Sequence, residues 1–374
     1  MKTRNVALDV YRILCMFLIT TIHIINYSGL ISAVPRGHLN FWLLNGIQVL
    51  QVFSISGFTL ISAYYLVDKP FKLNRIIKFA LTVIFFSVVI FVAAMVLVRP
   101  GFSVMLALKS LFPFTTYHYW YPVNYLFLLA LSPFLNRLIG TLSQKKLLWG
   151  IVVLSVICSV YFHLNPFTET EIFLGHHTHN MLWFVLLYVI AGYLKRYGVK
   201  RPKLMGAGVF CLTGCLLFGL HAIKNNAFGL AEAYPVILKL LDKVDLLAYN
   251  SVLSLLFTVS SFVMFTQMKL TPAKWFYKAM AFTVPAVFVI YLFQEHNGIR
   301  DALWEFVNIT AWADSYLLVP VMIGCFVGLF AVAAALHLLY RLCDKLFLSK
   351  AEGLLAKLLQ RLVFQKSPDW LIFR

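Results

Sequence analysis

Long apolar runs, separated by short polar and basic segments, organise this chain from end to end. Ten runs centre roughly on residues 8–27, 40–66, 76–98, 120–138, 147–163, 180–197, 204–222, 247–268, 279–298 and 316–340. Each is about 17 residues or longer, enough for a helix to cross the hydrocarbon layer at about 1.5 Å per residue. The stretch GFSVMLALKSLF, between 100 and 118, is too short to span and is expected at the interface or as a re-entrant segment. No soluble domain, low-complexity region or internal repeat breaks the pattern. The predicted fold is all-α: a polytopic membrane bundle of about ten transmembrane helices.

Composition agrees with that class. Of 374 residues, 61% are hydrophobic and only 12% charged, with a mean hydropathy of +0.84; soluble domains carry about 25% charged residues. The first apolar segment is long and has no small-residue cleavage site, so it is expected to stay in the protein. The net charge of +18 does not point to nucleic acid, because the basic residues lie between apolar segments and form no patch or stripe. Their distribution instead orients the bundle. With the amino terminus inside, 24 Lys and Arg fall in inside segments and 7 in outside connections, with Arg12 inside the first span. That bias alternates at every loop and places both termini in the cytoplasm of a multi-pass cell-membrane protein, a bacterial plasma membrane being the expected setting. Residues 1–340 form the transmembrane domain. The tail, 341–374, is basic and amphipathic and is expected to lie on anionic inner-leaflet lipids. The six cysteines sit within or at the edge of apolar segments, without metal-ligand spacing.

Against this background the polar residues inside the spans stand out. Arg12 and His23 both lie in the first span, eleven residues apart. Eleven steps of about 100° bring them to one helix face, about 16 Å apart along the axis. Ionisable groups at such depth usually face the protein interior. With the orientation above, Arg12, Lys72, Arg75 and Lys78 gather on the cytoplasmic side, while His23, Asn124, Asn180, Glu295 and His296 share a depth in the outer half. The expected picture is a cavity with a cationic mouth inside and an acid–base cluster outside. The bland reading of the first pair is one snorkelling Arg and one hydrogen-bonded core His.

Several segments together resemble a known family. Arg4, Asp9, Arg12 and His23 match the opening signature of the acyltransferase 3 family of integral membrane acyltransferases, in which an Arg precedes a His by eleven positions. VFSISGFTLI (52–61), the basic KLNRIIK (72–78), YWYPVNYLFLLALSPFLNRLI (119–139), LWFVLLYVIAGYLKRYG (182–198) and IYLFQEHNGIRDALW (290–304) resemble further family segments, in the expected order. The late segment departs from the family, with Gln294 where a His is frequent and His296 two residues on. The resemblance covers roughly residues 4–340. It implies transfer of an acyl group, usually acetyl, from cytoplasmic acyl-CoA to a hydroxyl of an extracytoplasmic polysaccharide or lipid-linked glycan.

On that reading His23 is the candidate base, since an imidazole suits proton removal from a sugar hydroxyl near neutral pH; it could equally carry the acyl group. Glu295 would orient it or stabilise imidazolium. Arg12 would bind coenzyme A phosphate, with Lys72 and Arg75 assisting. Tyr121, Asn124, Asn180 and His296 are expected around the acceptor or the developing oxyanion. Acetyl-CoA is the expected donor and no metal is expected; the Glu169, Glu171 and His176–His179 loop is read as solvated rather than ligating. The Ser56–Gly57 step is read as a close helix contact rather than a nucleophile. A transporter or flippase of a lipid-linked sugar is the alternative, and it would have no use for a base at His23.

Overall fold

The computed structural model describes residues 5–99, 101, 103–161, 181–225, 234–236, 239 and 247–363. Among them the secondary structure is helical, without strands. The helices are α1 (Val6–Ser28), α2 (Leu39–Leu66), α3 (Leu73–Leu97), α4 (Val104–Leu111), α5 (Trp120–Thr141), α6 (Gln144–Ser155), α7 (Met181–Tyr197), α8 (Val209–Lys224), α9 (Val252–Gln267), α10 (Lys274–Gln294), α11 (Arg300–Val307), α12 (Leu318–Cys343) and α13 (Ser349–Val363). Wide π turns extend α6 through Val156–Tyr161, precede α8 at Leu204–Gly208 and join α12 to α13 at Asp344–Leu348.

Among the described residues, each of the ten apolar runs includes a helix, and seven helical stretches are long and apolar enough to cross a membrane. The others are shorter. The run 247–268 becomes helical only at Val252, because residues 247–251 turn first and Ser251 then caps α9 by accepting the Ser254 N–H at 3.1 Å. The run 279–298 starts earlier, at Lys274, and ends at Gln294. Residues 104–111 form the eight-residue α4, in keeping with a segment too short to span.

The core centres on α1, which packs against α2, α9, α10 and α12. Tyr11 shows why. It is fully buried, its ring lies 5.7 Å from Phe53 of α2 and 4.6 Å from Phe265 of α9, and its hydroxyl is 2.6 Å from Ser261 Oγ. Gly57 of α2 lets α1 approach, since a Cβ there would overlap the Tyr11 hydroxyl and lie 3.1 Å from Cys15 Sγ. Its neighbour Ser56 accepts the Trp183 indole N–H at 2.9 Å and ties α7 to α2. The Ser–Gly step is therefore a packing device. Gly57→Ala is expected to cost about 1–3 kcal/mol through overpacking, seen as a lower melting temperature in detergent. An unchanged melting temperature would mean that Tyr11 moves aside freely.

The polar contacts at the helix ends sort the loops into two sets. Asp68 pairs with Arg196 at 3.2 Å and Lys195 at 3.7 Å, Asn136 donates to the Lys69 carbonyl at 3.2 Å, and Lys78 meets Asp344 at 3.6 Å and Glu352 at 4.0 Å. These contacts bring the basic connections after α2, α5, α7 and α12 to one end of the bundle. At the other end Asn40 donates to the Ala313 and Ser315 carbonyls, both at 2.8 Å, and Tyr27 meets Glu295.

Candidate active site

α1 is a single uninterrupted helix. Asn5 caps it by accepting the Leu8 N–H at 3.2 Å, and Gly29, with φ of +69°, ends it in the left-handed conformation that glycine adopts without strain. Arg12 and His23 are therefore fixed on one rod, and each lines a cavity between α1 and its neighbours.

The His23 cavity has a volume of about 440 Å³, within the range of small-molecule sites. His23 and Glu295 meet on one wall, with Nδ1 3.4 Å from Glu295 Oε1 but without hydrogen-bond alignment. They are only 15% and 13% exposed. Tyr27, one turn beyond His23, donates its hydroxyl to Glu295 Oε1 at 3.0 Å, and the Arg300 guanidinium lies 4.9 Å from the centre of the Tyr27 ring. Glu295 is thus held by the tyrosine hydroxyl, with the imidazole beside it. With Nδ1 turned to Glu295, Nε2 is the nitrogen left for a substrate. A base backed by an acidic group can take a proton and have the resulting charge stabilised.

The Arg12 cavity, about 320 Å³, lies on the other side of an aromatic wall. Phe58, Tyr121 and Phe288 line both cavities, and the Phe58 and Tyr121 rings meet edge to face at 6.0 Å. The Arg12 guanidinium lies 5.7 Å from the Phe58 ring centre, and its Nε is buried with no hydrogen-bond partner. A buried donor left unmatched costs about 1–3 kcal/mol and suits a ligand acceptor. Arg75 and Lys69 also line this cavity, as does Pro285, which interrupts the hydrogen bonding of α10.

Two cavities along α1 thus hold a guanidinium in one and a His–Glu pair in the other. The family model of an acyltransferase domain, acyltransferase 3, matches residues 5–340. The chain belongs to the acyltransferase 3 family. It is a multi-pass membrane acyltransferase. No curated protein and no solved structure matched the chain.

In this acyltransferase the remaining expected residues divide. Tyr121 sits at the wall between the cavities, where its hydroxyl accepts a 3.3 Å hydrogen bond from Thr59. Arg75 lines the Arg12 cavity, but Lys72 is exposed at the start of α3 and does not line it; Lys69, three residues earlier, does. Asn124 is also absent from the His23 cavity, since its amide donates to the Trp120 carbonyl at 3.1 Å within its own helix. His296 is fully buried and turned away from the cavity. The Gly298 N–H donates to its Nδ1 at 3.0 Å, which leaves the ring proton on Nε2 for Ser110 Oγ at 3.2 Å, and Ser110 donates onward to the Leu106 carbonyl at 2.8 Å. That chain fastens α4 to the turn after α10. Beside it both nitrogens of His118 are buried without partners, and burial, followed by the neighbouring His296, pushes its pKa down to about 3. Asn180 and the 169–179 loop lie outside the described residues, and among the described residues no group of three or more His, Cys, Asp or Glu is placed to hold a metal.

The structure adds residues that were not singled out. Tyr27 follows His23 by four positions, a spacing that places both on one face. Arg300 needs the turn after α10 to reach Tyr27. His221, three residues before Lys224 at the end of α8, becomes visible as a cavity residue only once α8 is packed on α2.

Proposed function

We propose that this acyltransferase transfers acetyl from acetyl-CoA to a hydroxyl of a cell-surface or lipid-linked glycan, with the Arg12 cavity facing the cytoplasm of a bacterial cell and the His23 cavity facing outside. The observation that carries this reading is the pairing of the two cavities across the Phe58–Tyr121–Phe288 wall. Arg12, aided by Arg75 and Lys69, suits the phosphates of coenzyme A through charge-assisted hydrogen bonds. An extended pantetheine arm is of the same order as the roughly 16 Å rise between Arg12 and His23. With the phosphates held at Arg12, the thioester reaches the aromatic wall beside His23.

The chemistry then needs few groups. The acceptor hydroxyl gives its proton to His23 Nε2 while its oxygen attacks the thioester carbon. Tyr121, at the wall, supplies a hydroxyl donor for the oxyanion of the tetrahedral intermediate. Collapse breaks the carbon–sulfur bond, the ester leaves with the glycan, and the imidazolium returns its proton to the coenzyme A thiolate. Glu295 stabilises the imidazolium in between. The thioester passes between the cavities at Phe58, Tyr121 and Phe288, the residues that line both.

The test uses purified protein in lipid nanodiscs, radiolabelled acetyl-CoA and surface glycan from the source cell. The expected result is base-labile label on the glycan, matched by an equal amount of free coenzyme A. Label remaining in acetyl-CoA, or released only as free acetate, would reject the assignment.

A further inference from the structure

Across the cavity from His23 stands a wall of hydrogen-bond donors that the transfer chemistry above does not use. Gln48 and Gln51, one turn apart on α2, share it with His221 and Lys224 of α8. α8 packs on α2 and α9, and these residues line the same cavity as His23 of α1 and Glu295 of α10. His221 is 6% exposed, and its Nε2 lies 3.0 Å from Gln48 Oε1. The same Nε2 lies 3.1 Å from Asn225 Nδ2, so it donates to Gln48 in one tautomer and accepts from Asn225 in the other. The Gln48 NH₂ has no hydrogen-bond partner among the described residues, and His221 Nδ1 is buried without one. Asn225 braces the assembly from behind by donating to Asn45 Oδ1 at 2.6 Å, and Asn45 donates to the Phe41 carbonyl at 2.7 Å. None of the ion pairs among the described residues involves Lys224.

A half-buried ammonium and an amide NH₂ lining one cavity suit an oxyanion better than a neutral hydroxyl. Glu295 lines the same cavity, and a carboxylate there disfavours an anion beside it, which leaves the Lys224 side. Trp120 also lines the cavity and offers a ring face for a sugar. We propose that the Gln48–His221–Lys224 wall is an anion subsite, and that the acceptor is a sugar carrying a carboxylate or a phosphate. The anion docks on Lys224 and turns a hydroxyl of the same or the next sugar toward His23 Nε2. This assignment rests on the acetyl-transfer reading for its choice of ligand, although its anion preference is measurable without turnover.

Binding of methyl glucoside, methyl glucuronide and glucose 1-phosphate to the full-length protein in nanodiscs tests it. The readout is the ratio of neutral to charged Kd, which a single well-placed ion pair makes about tenfold or more. The better of the two charged sugars identifies carboxylate or phosphate as the group recognised. Lys224→Ala is expected to bring the ratio to about one, and Lys224→Arg to retain most of it, with melting temperatures showing that both variants fold. Equal affinity for all three sugars in the unaltered protein, or a preference that survives Lys224→Ala, would overturn the subsite. Coenzyme A release is measured in parallel with the same sugars. A Lys224-dependent preference without release would leave the subsite standing and count against acetyl transfer to the glycan. Release without such a preference would do the reverse.

Discussion

His23→Ala is expected to reduce acceptor-dependent release of coenzyme A by about 10²–10⁴-fold, the range in which a positioned general base contributes. The loss should fall on kcat, because Nε2 acts on the hydroxyl proton only as the thioester is attacked. Donor affinity should stay near its original value, since His23 lines only the distal cavity, about 16 Å along α1 from Arg12. His23→Gln fills the same space and can hydrogen-bond, yet it cannot take the proton, so it should be nearly as impaired. Glu295→Gln keeps the contact with Tyr27 and His23 but removes the charge that stabilises imidazolium, and should lose less than His23→Ala. A His23→Ala variant with normal melting temperature and normal turnover would remove the base from this mechanism.

The sequence made the long axis of this site readable and left its circumference obscure. Spacing on one helix depends on nothing but the 3.6-residue turn, which is why Arg12 and His23 fall on one face as expected and Tyr27 was within reach of the same argument. Glu295 could be assigned a depth near His23 from loop charge alone. Which side chains at that depth turn toward the cavity depends on how each helix is rotated against its neighbours, and that is decided by contacts such as Tyr11 with Phe53 and Trp183 with Ser56. Asn124 and His296 share the depth of His23, but local hydrogen bonds claim both: the carbonyl one turn back for Asn124, and Gly298 and Ser110 for His296. Lys72 and Lys69 differ by three residues at the α2–α3 turn, where the chain leaves helical periodicity and spacing no longer predicts direction.

The aromatic wall follows from the same limits. Phe58 and Phe288 look like ordinary apolar positions of spans, and nothing in their spacing marks them as the boundary between two cavities. Their position gives them a chemical consequence. On the proposed reading, a thioester anchored at Arg12 has to pass these rings to meet the acceptor hydroxyl.

Arg12→Ala is expected to raise the KM for acetyl-CoA by about 30-fold or more, since truncating one partner of a desolvated, hydrogen-bonded charge pair costs about 2–5 kcal/mol. The argument turns on what the guanidinium does in the unliganded protein. Its Nε is buried with no partner, and the cation rests 5.7 Å from the Phe58 ring centre. Removing it therefore breaks few contacts in the free protein but many in the complex, so the loss should appear in binding more than in stability. Arg12→Lys restores the charge without the planar fork that matches a phosphate with two parallel bonds, and should recover only part of the affinity. A structural role through Phe58 would also raise KM, so a donor lacking phosphates is needed to separate the two. Acetyl-pantetheine carries the thioester and the arm alone. The original protein should use it with a much lower kcat/KM than acetyl-CoA, and Arg12→Ala should cause little further loss, because the interaction it removes is already missing. If Arg12→Ala instead impairs acetyl-pantetheine and acetyl-CoA by the same factor, the guanidinium does not read phosphate, and Arg12 serves to position the aromatic wall beside it.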